Sequence, residues 1–290
     1  MSATVTRADL RISIRQDLAS WPVPTFLEKG IDDKARQIEL ADEIDKDYCG
    51  PKCLLEVGSE VLRVVDQPED AQAVRVHRGW AGSTAAAHNT NEPVRVHPSW
   101  GWTDLELNRL LDQAVRWLKP HAWTLQRSST FTWAAGAREA TPPAAAGISY
   151  PDGNLLLKLE HLDSDSVYKE FSGWIPQGDI VRMRDNAGQA RTLRATYAKF
   201  QAILSSDAST LDNDDFAEAV VKYTVHLALN SLKSNRVRFA EYAAALNDRA
   251  STPDELIRVA FDFKNQAVLC RDEKSAPRPA GLASTWRNAP

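Results

Sequence analysis

Val74-Arg-Val-His77 and Val94-Arg-Val-His97 repeat one phrase within a short span, and each is followed by a tryptophan at the same offset, Trp80 and Trp100. A period of two puts Val74 and Val76 on one side of a strand and Arg75 and His77 on the other, the pattern of a half-buried strand. With two copies and a single glycine-rich loop between them, the pair reads as two arms of one β module, not as a solenoid array. The intervening Arg78-Gly-Trp-Ala-Gly-Ser-Thr-Ala-Ala-Ala-His88 reads as a rigid turn. Gly79 and Gly82 can supply positive φ, the alanines fit a tight crossing, and His88 can hydrogen bond to loop backbone.

Helical spacing surrounds this module. Thr6 to Leu18 places Leu10, Ile14 and Leu18 four residues apart, with Ile12 off the stripe, which predicts a short docking helix ended by Trp21-Pro-Val-Pro24. Ile31 to Asp47 carries many charges around Ile38, Leu40 and Ile44 and reads as either a solvated helix or an extended arm. Strands are expected at Glu60–Asp66, Ala73–Arg78 and Pro93–His97. Thr103-Asp-Leu-Glu106 is a capping box opening a helix whose stripe is Leu107, Leu110, Leu111, Ala114 and Leu118, stopped by Pro120. Strand-like stretches follow at Trp123–Trp133, Asn154–Leu162, Lys169–Ile175 and Thr192–Ile203. Asp214–Leu232 returns to helical spacing and is read as running on through Val237 and Tyr242; Thr252-Pro-Asp-Glu255 caps a final helix containing Leu256, Val259, Phe263, Ala267 and Cys270.

The fold expected from these elements is α+β: a helical core, bundle-like, with inserted β-rich modules and an extended C-terminal tail. Its segments are an N-terminal helix and arm at 1–50, the β module at 51–100, a core helix at 101–122, a second β-rich region at 123–205, C-terminal core helices at 206–274, and the tail at 275–290. If extended, that tail reaches on the order of 50 Å, far enough to cross onto a neighbouring molecule.

Composition narrows the function. A net charge of −4 argues against a general nucleic-acid binder, which needs an excess of Lys and Arg. No apolar run reaches the roughly 18 residues of a membrane span, and no signal-peptide core is seen near the start, so a protein made in the cytoplasm and free of membrane is expected. Three cysteines do not make a disulfide framework. Cys49-Gly-Pro-Lys-Cys53 has one residue too many for a redox dithiol and reads as two partly buried thiols flanking a turn.

Other chemistry is equally thin. Gly82-Ser-Thr lacks the Gly-Lys-Ser/Thr of a phosphate loop, and Asp163-Ser-Asp165 lacks the glycine and distant Glu of a calcium loop. Glu160 with Asp163, or Asp214 with Asp215, could be hydrolase carboxylates but read as solvated caps. His77 and His97 are placed on the polar face of the β module, and His226 in a helical core. Trp100, Trp102, Trp117, Trp123 and Trp133 serve as core or as sugar-stacking surfaces. The expectation is no catalytic residue, no metal ligand, no cofactor and no enzymatic activity.

The Arg78–His88 run, with Glu60–Val65 before it and Pro93–Pro98 after it, resembles an element of structural proteins in tailed bacteriophages. Together with the helix Leu105–Leu118 ending Trp-Leu-Lys-Pro120, and with Arg236, Arg238 and the Ser-Thr-Pro-Asp-Glu-Leu helix from Ser251, the chain is similar to siphovirus head-to-tail adaptor (connector) proteins of the actinobacteriophage kind. That resemblance implies a structural virion protein of the neck, with no reaction. It implies a homo-oligomeric ring of about twelve copies, joined to the portal protein on one side and to a stopper or tail-completion protein on the other, closed by head-to-tail faces. Genomic DNA would pass through without sequence-specific binding. The candidate interface residues are Trp80, Trp100, Arg278, Trp286 and Arg287. Two alternatives stand beside it: a carbohydrate-binding tail or fibre-associated protein using its nine tryptophans, and a cell-wall hydrolase.

Overall fold

The structure, a computed structural model, describes residues 4–42, 49–66, 73–119, 121–148, 154–185, 187–233, 235–245 and 252–275. The chain divides into two compact units, Met1–Arg116 with Ile203–Cys270, and Trp117–Ala202 with Arg271–Pro290.

The first unit is organised by six antiparallel strands, β1 (Val23–Phe26), β2 (Gln37–Glu39), β3 (Leu54–Val57), β4 (Glu60–Asp66), β5 (Ala73–His77) and β6 (Pro93–His97), in the order β1-β6-β3-β4-β5-β2. The two outer strands meet: Leu27 bridges Leu40, the Glu28 N–H donates to the Glu39 carbonyl at 2.9 Å, and the Ala41 N–H donates to the Phe26 carbonyl at 2.9 Å. The sheet therefore closes into a barrel, which removes its free edges. Alternation does the sorting: Leu55, Val57, Leu62, Val64, Val74, Val76, Val94 and Val96 fill the interior with Leu27, Ile38 and Leu40. The two Val-Arg-Val-His strands are not partners. β5 pairs with β4 and β2, β6 pairs with β1 and β3, and the β3–β4 hairpin lies between them. The Arg78–His88 loop thus has to span three strand spacings, about 14 Å.

Five helices complete the described part: α1 (Arg7–Leu18), α2 (Asp104–Leu118), α3 (Ala217–Lys233), α4 (Arg236–Ala245) and α5 (Pro253–Lys274). In α1 Leu10, Ile14 and Leu18 are buried while Ile12 is exposed, as the spacing predicts. The same helix also buries Arg7, Arg11 and Arg15, a second stripe at the same spacing. Thr103 and Glu106 form the expected box at the start of α2, each accepting the other's backbone N–H. The helix expected to continue from Leu232 through Tyr242 is two helices. Asn235 accepts the Arg238 N–H at 3.1 Å, and this new N-cap restarts the chain as α4.

The second unit is built on β7 (Trp123–Arg127), β8 (Phe131–Trp133), β9 (Glu139–Ala140), β10 (Leu155–Leu162), β11 (Tyr168–Phe171), β12 (Trp174–Gln177), β13 (Ile180–Met183) and β14 (Arg191–Phe200). One sheet runs β11-β10-β14-β7, with β8 also on β14; the other runs β12-β13-β9. They share one core, in which Leu159, Leu193 and Ala195 of the first sheet meet Val181 and Met183 of the second, with Trp133 and Tyr197.

The expected helical-core bundle is thus wrong. Among the described residues there are fourteen strands in three antiparallel sheets and five helices, with strand at 31% nearly matching helix at 35%. Helical stripes run long and stand out in a sequence, whereas β1, β2 and β9 are two to four residues long and show no periodicity of their own. The longest helix also buries little: α5 hides only Leu256, Ala260 and Ala267. Ile31–Asp47 is extended where described, supplying β2. No helix among the described residues is long and apolar enough to cross a membrane.

Candidate functional site

Glu60, the first residue of β4, is fully buried at 0% exposure and organises the Arg78–His88 loop. Arg78 grips it with two donors, Nε and Nη2, each at 2.7 Å. The backbone N–H groups of Gly79 and Ala86 donate to it at 3.1 Å each, and His88 Nε2 lies 3.0 Å away. The other ring nitrogen of His88 faces Glu92 at 2.9 Å. An imidazolium donates to both carboxylates, whereas a neutral ring serves one as donor. Arg78 spends its remaining donors on the carbonyls of Asp32, Ala35 and Ala86. Ser83 accepts the Val61 N–H at 2.9 Å and donates to loop and strand carbonyls, which fastens the loop to β4.

The loop's backbone needs its glycines. Gly79 and Gly82 adopt φ of 63° and 78°, and a Cβ on Gly79 would stand 3.2 Å from the Ser83 carbonyl. Burial alone would push the Glu60 carboxyl up; Arg78, the Ala86 N–H, His88 and the Gly79 N–H outweigh it and bring the group down to about 2. Glu60 is a clasp in which every polar atom is assigned.

A second buried carboxylate, Glu56 on β3, lies 3.1 Å from His97 Nε2 and accepts the N–H groups of Asp104 and Leu105 at the start of α2. His97 is expected on the polar face, and it does point away from the barrel interior; the α2 terminus covers that side, so the ring is 0% exposed. Arg238 of α4 reaches the same corner, pairing with Glu106 at 3.1 Å and lying 5.0 Å from the Trp102 ring.

On the outward side of β4 and β5, Arg63 stands opposite His77 and stacks 4.5 Å from the centre of Trp80, and His77 meets the same indole edge-on. Beside them Lys34, Arg36, Arg75 and His77 line an open groove of about 710 Å³ that also contains Asp33. Trp100 packs edge-on to Tyr242, as does the buried Trp102. Arg278, Trp286 and Arg287 lie outside the described residues.

Other residues singled out by the sequence fall apart as sites. Glu160 is held by Arg194 and Lys158, and Asp163 by Lys169, so each carboxylate has its own cation. Ser83, in the run that lacks the lysine of a phosphate loop, is committed to β4. His226 is buried in α3 with a ring nitrogen 2.7 Å from the Ala260 carbonyl. Among the described residues no His, Cys, Asp and Glu cluster could hold a metal ion. No protein-family model and no curated protein matches the chain.

Cys49 and Cys53 sit in the barrel core, and burial pushes their thiols up to about 12 and about 11. A protonated thiol is a poor nucleophile, so the pair is inert while folded. With a disulfide reagent such as DTNB, the native chain is expected to react at no more than one of its three cysteines, Cys270 being the partly exposed one. All three should react at once in denaturant. Rapid native reaction at two or more thiols would refute a purely structural role for the pair.

Proposed function

We propose that this chain is a structural protein of a tailed-phage particle. It would sit in the neck as a homo-oligomeric ring between the portal and the next component, with the genome passing through. The observation that carries the reading is the Glu60 clasp. Arg78, Ser83 and His88, the chemistry-bearing residues of the loop on which the resemblance rests, are bonded to Glu60, Glu92, β4 and loop backbone. A loop fastened this way presents Trp80 from a fixed frame, and a pre-organised surface loses little entropy when it docks. That property suits an assembly contact made once and kept.

The resemblance to phage virion proteins lies in this loop and its flanking strands; the neck, the ring and its neighbours are carried over from the likeness of the helix Leu105–Leu118 and of the C-terminal helices. Particles of the virus that encodes the chain test the proposal. Mass spectrometry should detect the chain at several copies per particle, and electron microscopy with an antibody to it should label the junction of head and tail. A chain missing from purified particles, or labelling restricted to the distal tail, would refute the neck assignment.

A further inference from the structure

The net charge of −4 hides a local excess of cations. Lys34 and Arg36 from the segment leading into β2, Arg75 from β5 and Arg63 from β4 lie on the outward side of neighbouring strands of one barrel. Lys34, Arg36 and Arg75 are exposed and Arg63 is half-buried under its stack with Trp80. Among the described residues none of the four has an ion-pair partner, unlike Arg78, which is spent on Glu60. Among the described residues the acidic groups nearby include Asp33 within the groove and Asp66, opposite Arg75 in the strand register, together with Glu106 and Glu241, which line the neighbouring pocket that Arg63 and Trp80 border and are paired there with Arg238 and Lys52.

We propose that this face binds the sugar–phosphate backbone of double-stranded DNA, without reading its sequence. Barrel closure removes the free strand edge, so a peptide cannot be taken up by strand addition. The groove also lacks a deep apolar pocket to hold the anchor that dominates a protein contact; its one exposed apolar side chain is Val65. What it offers is a row of three flexible cations, Lys34, Arg36 and Arg75, with the Arg63 guanidinium, braced against an indole, outside it on the neighbouring strand. Four such charges can neutralise phosphates along a backbone and need nothing else from the partner. The inference stands apart from the neck placement, since it concerns the free chain.

Fluorescence anisotropy of the full chain with a labelled duplex of about 20 base pairs should show binding, and two unrelated sequences should bind alike. If all four cations engage, the logarithm of the association constant should fall with the logarithm of salt at a slope of about −3 to −4. Arg36→Gln with Arg75→Gln should reduce that slope by about two and weaken binding on the order of 100-fold at low salt. Arg36→Lys with Arg75→Lys should bind nearly as the parent does, and Arg116→Gln on α2 should change little. Unchanged circular dichroism spectra would confirm that the exposed substitutions leave the fold intact. No binding at 50 mM salt, or binding unaffected by the paired glutamine substitutions, would overturn the proposal. Tighter binding to labelled polyglutamate of equal charge would also overturn it, by marking the face as a seat for an acidic protein. Each of these outcomes is read whether or not the chain is found in a particle.

Discussion

Glu60→Ala is expected to destabilise the first unit by about 3–5 kcal/mol, because it strands a buried guanidinium and removes the acceptor of two backbone N–H groups. Arg78 is 8% exposed and His88 6% exposed, so neither can recover its lost partner from water without opening the loop. Urea unfolding followed by tryptophan fluorescence measures the loss, and a change below about 1 kcal/mol would show the clasp to be incidental. Glu60→Gln keeps the shape and one acceptor oxygen but turns an amide toward donors, so it should cost less than alanine and still be clearly destabilising.

The pH dependence separates charge from shape. A carboxyl that titrates near about 2 when folded, against an ordinary 4.5, binds its proton more tightly in the unfolded chain. Its stabilisation is fully present above the unfolded value and fades as the pH falls toward the folded one. Linkage over that interval amounts to about 3 kcal/mol. The parent should therefore lose stability between these limits, and Glu60→Gln should show a visibly flatter acid limb. Identical acid limbs would place the titrating group elsewhere.

The sequence makes part of this arrangement legible and conceals the rest for identifiable reasons. Arg78, Gly79, Gly82 and His88 stand in one contiguous run, so a rigid loop can be inferred from composition alone. Their common partner cannot: Glu60 opens a strand well upstream and looks like any polar residue at a strand end, because only the antiparallel pairing of β4 with β5 brings it under the loop. Val-Arg-Val-His correctly separates inward valines from outward cations, yet adjacency in sequence suggests that β5 and β6 pair, when the β3–β4 hairpin intervenes. β1 and β2 carry the closure with too few residues to show a period. The basic face was invisible to whole-chain charge, since its four cations come from three separate segments and are outnumbered elsewhere.

The arginine stripe of α1 is a different kind of omission, and it carries the second large prediction. Arg7, Arg11 and Arg15 recur every four residues, a spacing open to inspection, but cations on a short helix read by default as its solvated face. In the structure they form its second buried face. Arg11 bonds both oxygens of Asp207 at 2.6 and 2.8 Å, and Arg15 bonds Asp104 at 2.7 Å and the Trp102 carbonyl at 3.0 Å. Asp104, at the first position of α2, also receives Arg95 and lies 3.4 Å from Arg11. Burial would raise the Asp104 carboxyl, but the Arg15 bond and the charges of Arg11 and Arg95 hold it below the ordinary range.

Asp104→Ala should therefore cost on the order of 3 kcal/mol, since it leaves a set of arginines facing one another around an empty centre. Asp104→Asn should be nearly as damaging, because an amide restores a hydrogen bond but no charge. The loss has a predicted location as well as a size. α1 is tied to α2 chiefly through this carboxylate, with Arg11–Asn108 and Arg7–Asp112 beside it, whereas the barrel strands are held by their own ladder and apolar interior. Hydrogen exchange should show α1 amides losing protection while those of β3 and β4 keep theirs. Protection lost equally from helix and barrel would mean that Asp104 supports the whole unit. Unchanged exchange in α1 would mean that Leu10, Ile14 and Leu18, with the bonds of Arg11 to Asp207 and Asn108, dock the helix without Asp104. In a cycle with Arg15→Met, the coupling to Asp104 should be on the order of 1–3 kcal/mol, because the two charges share one desolvated contact.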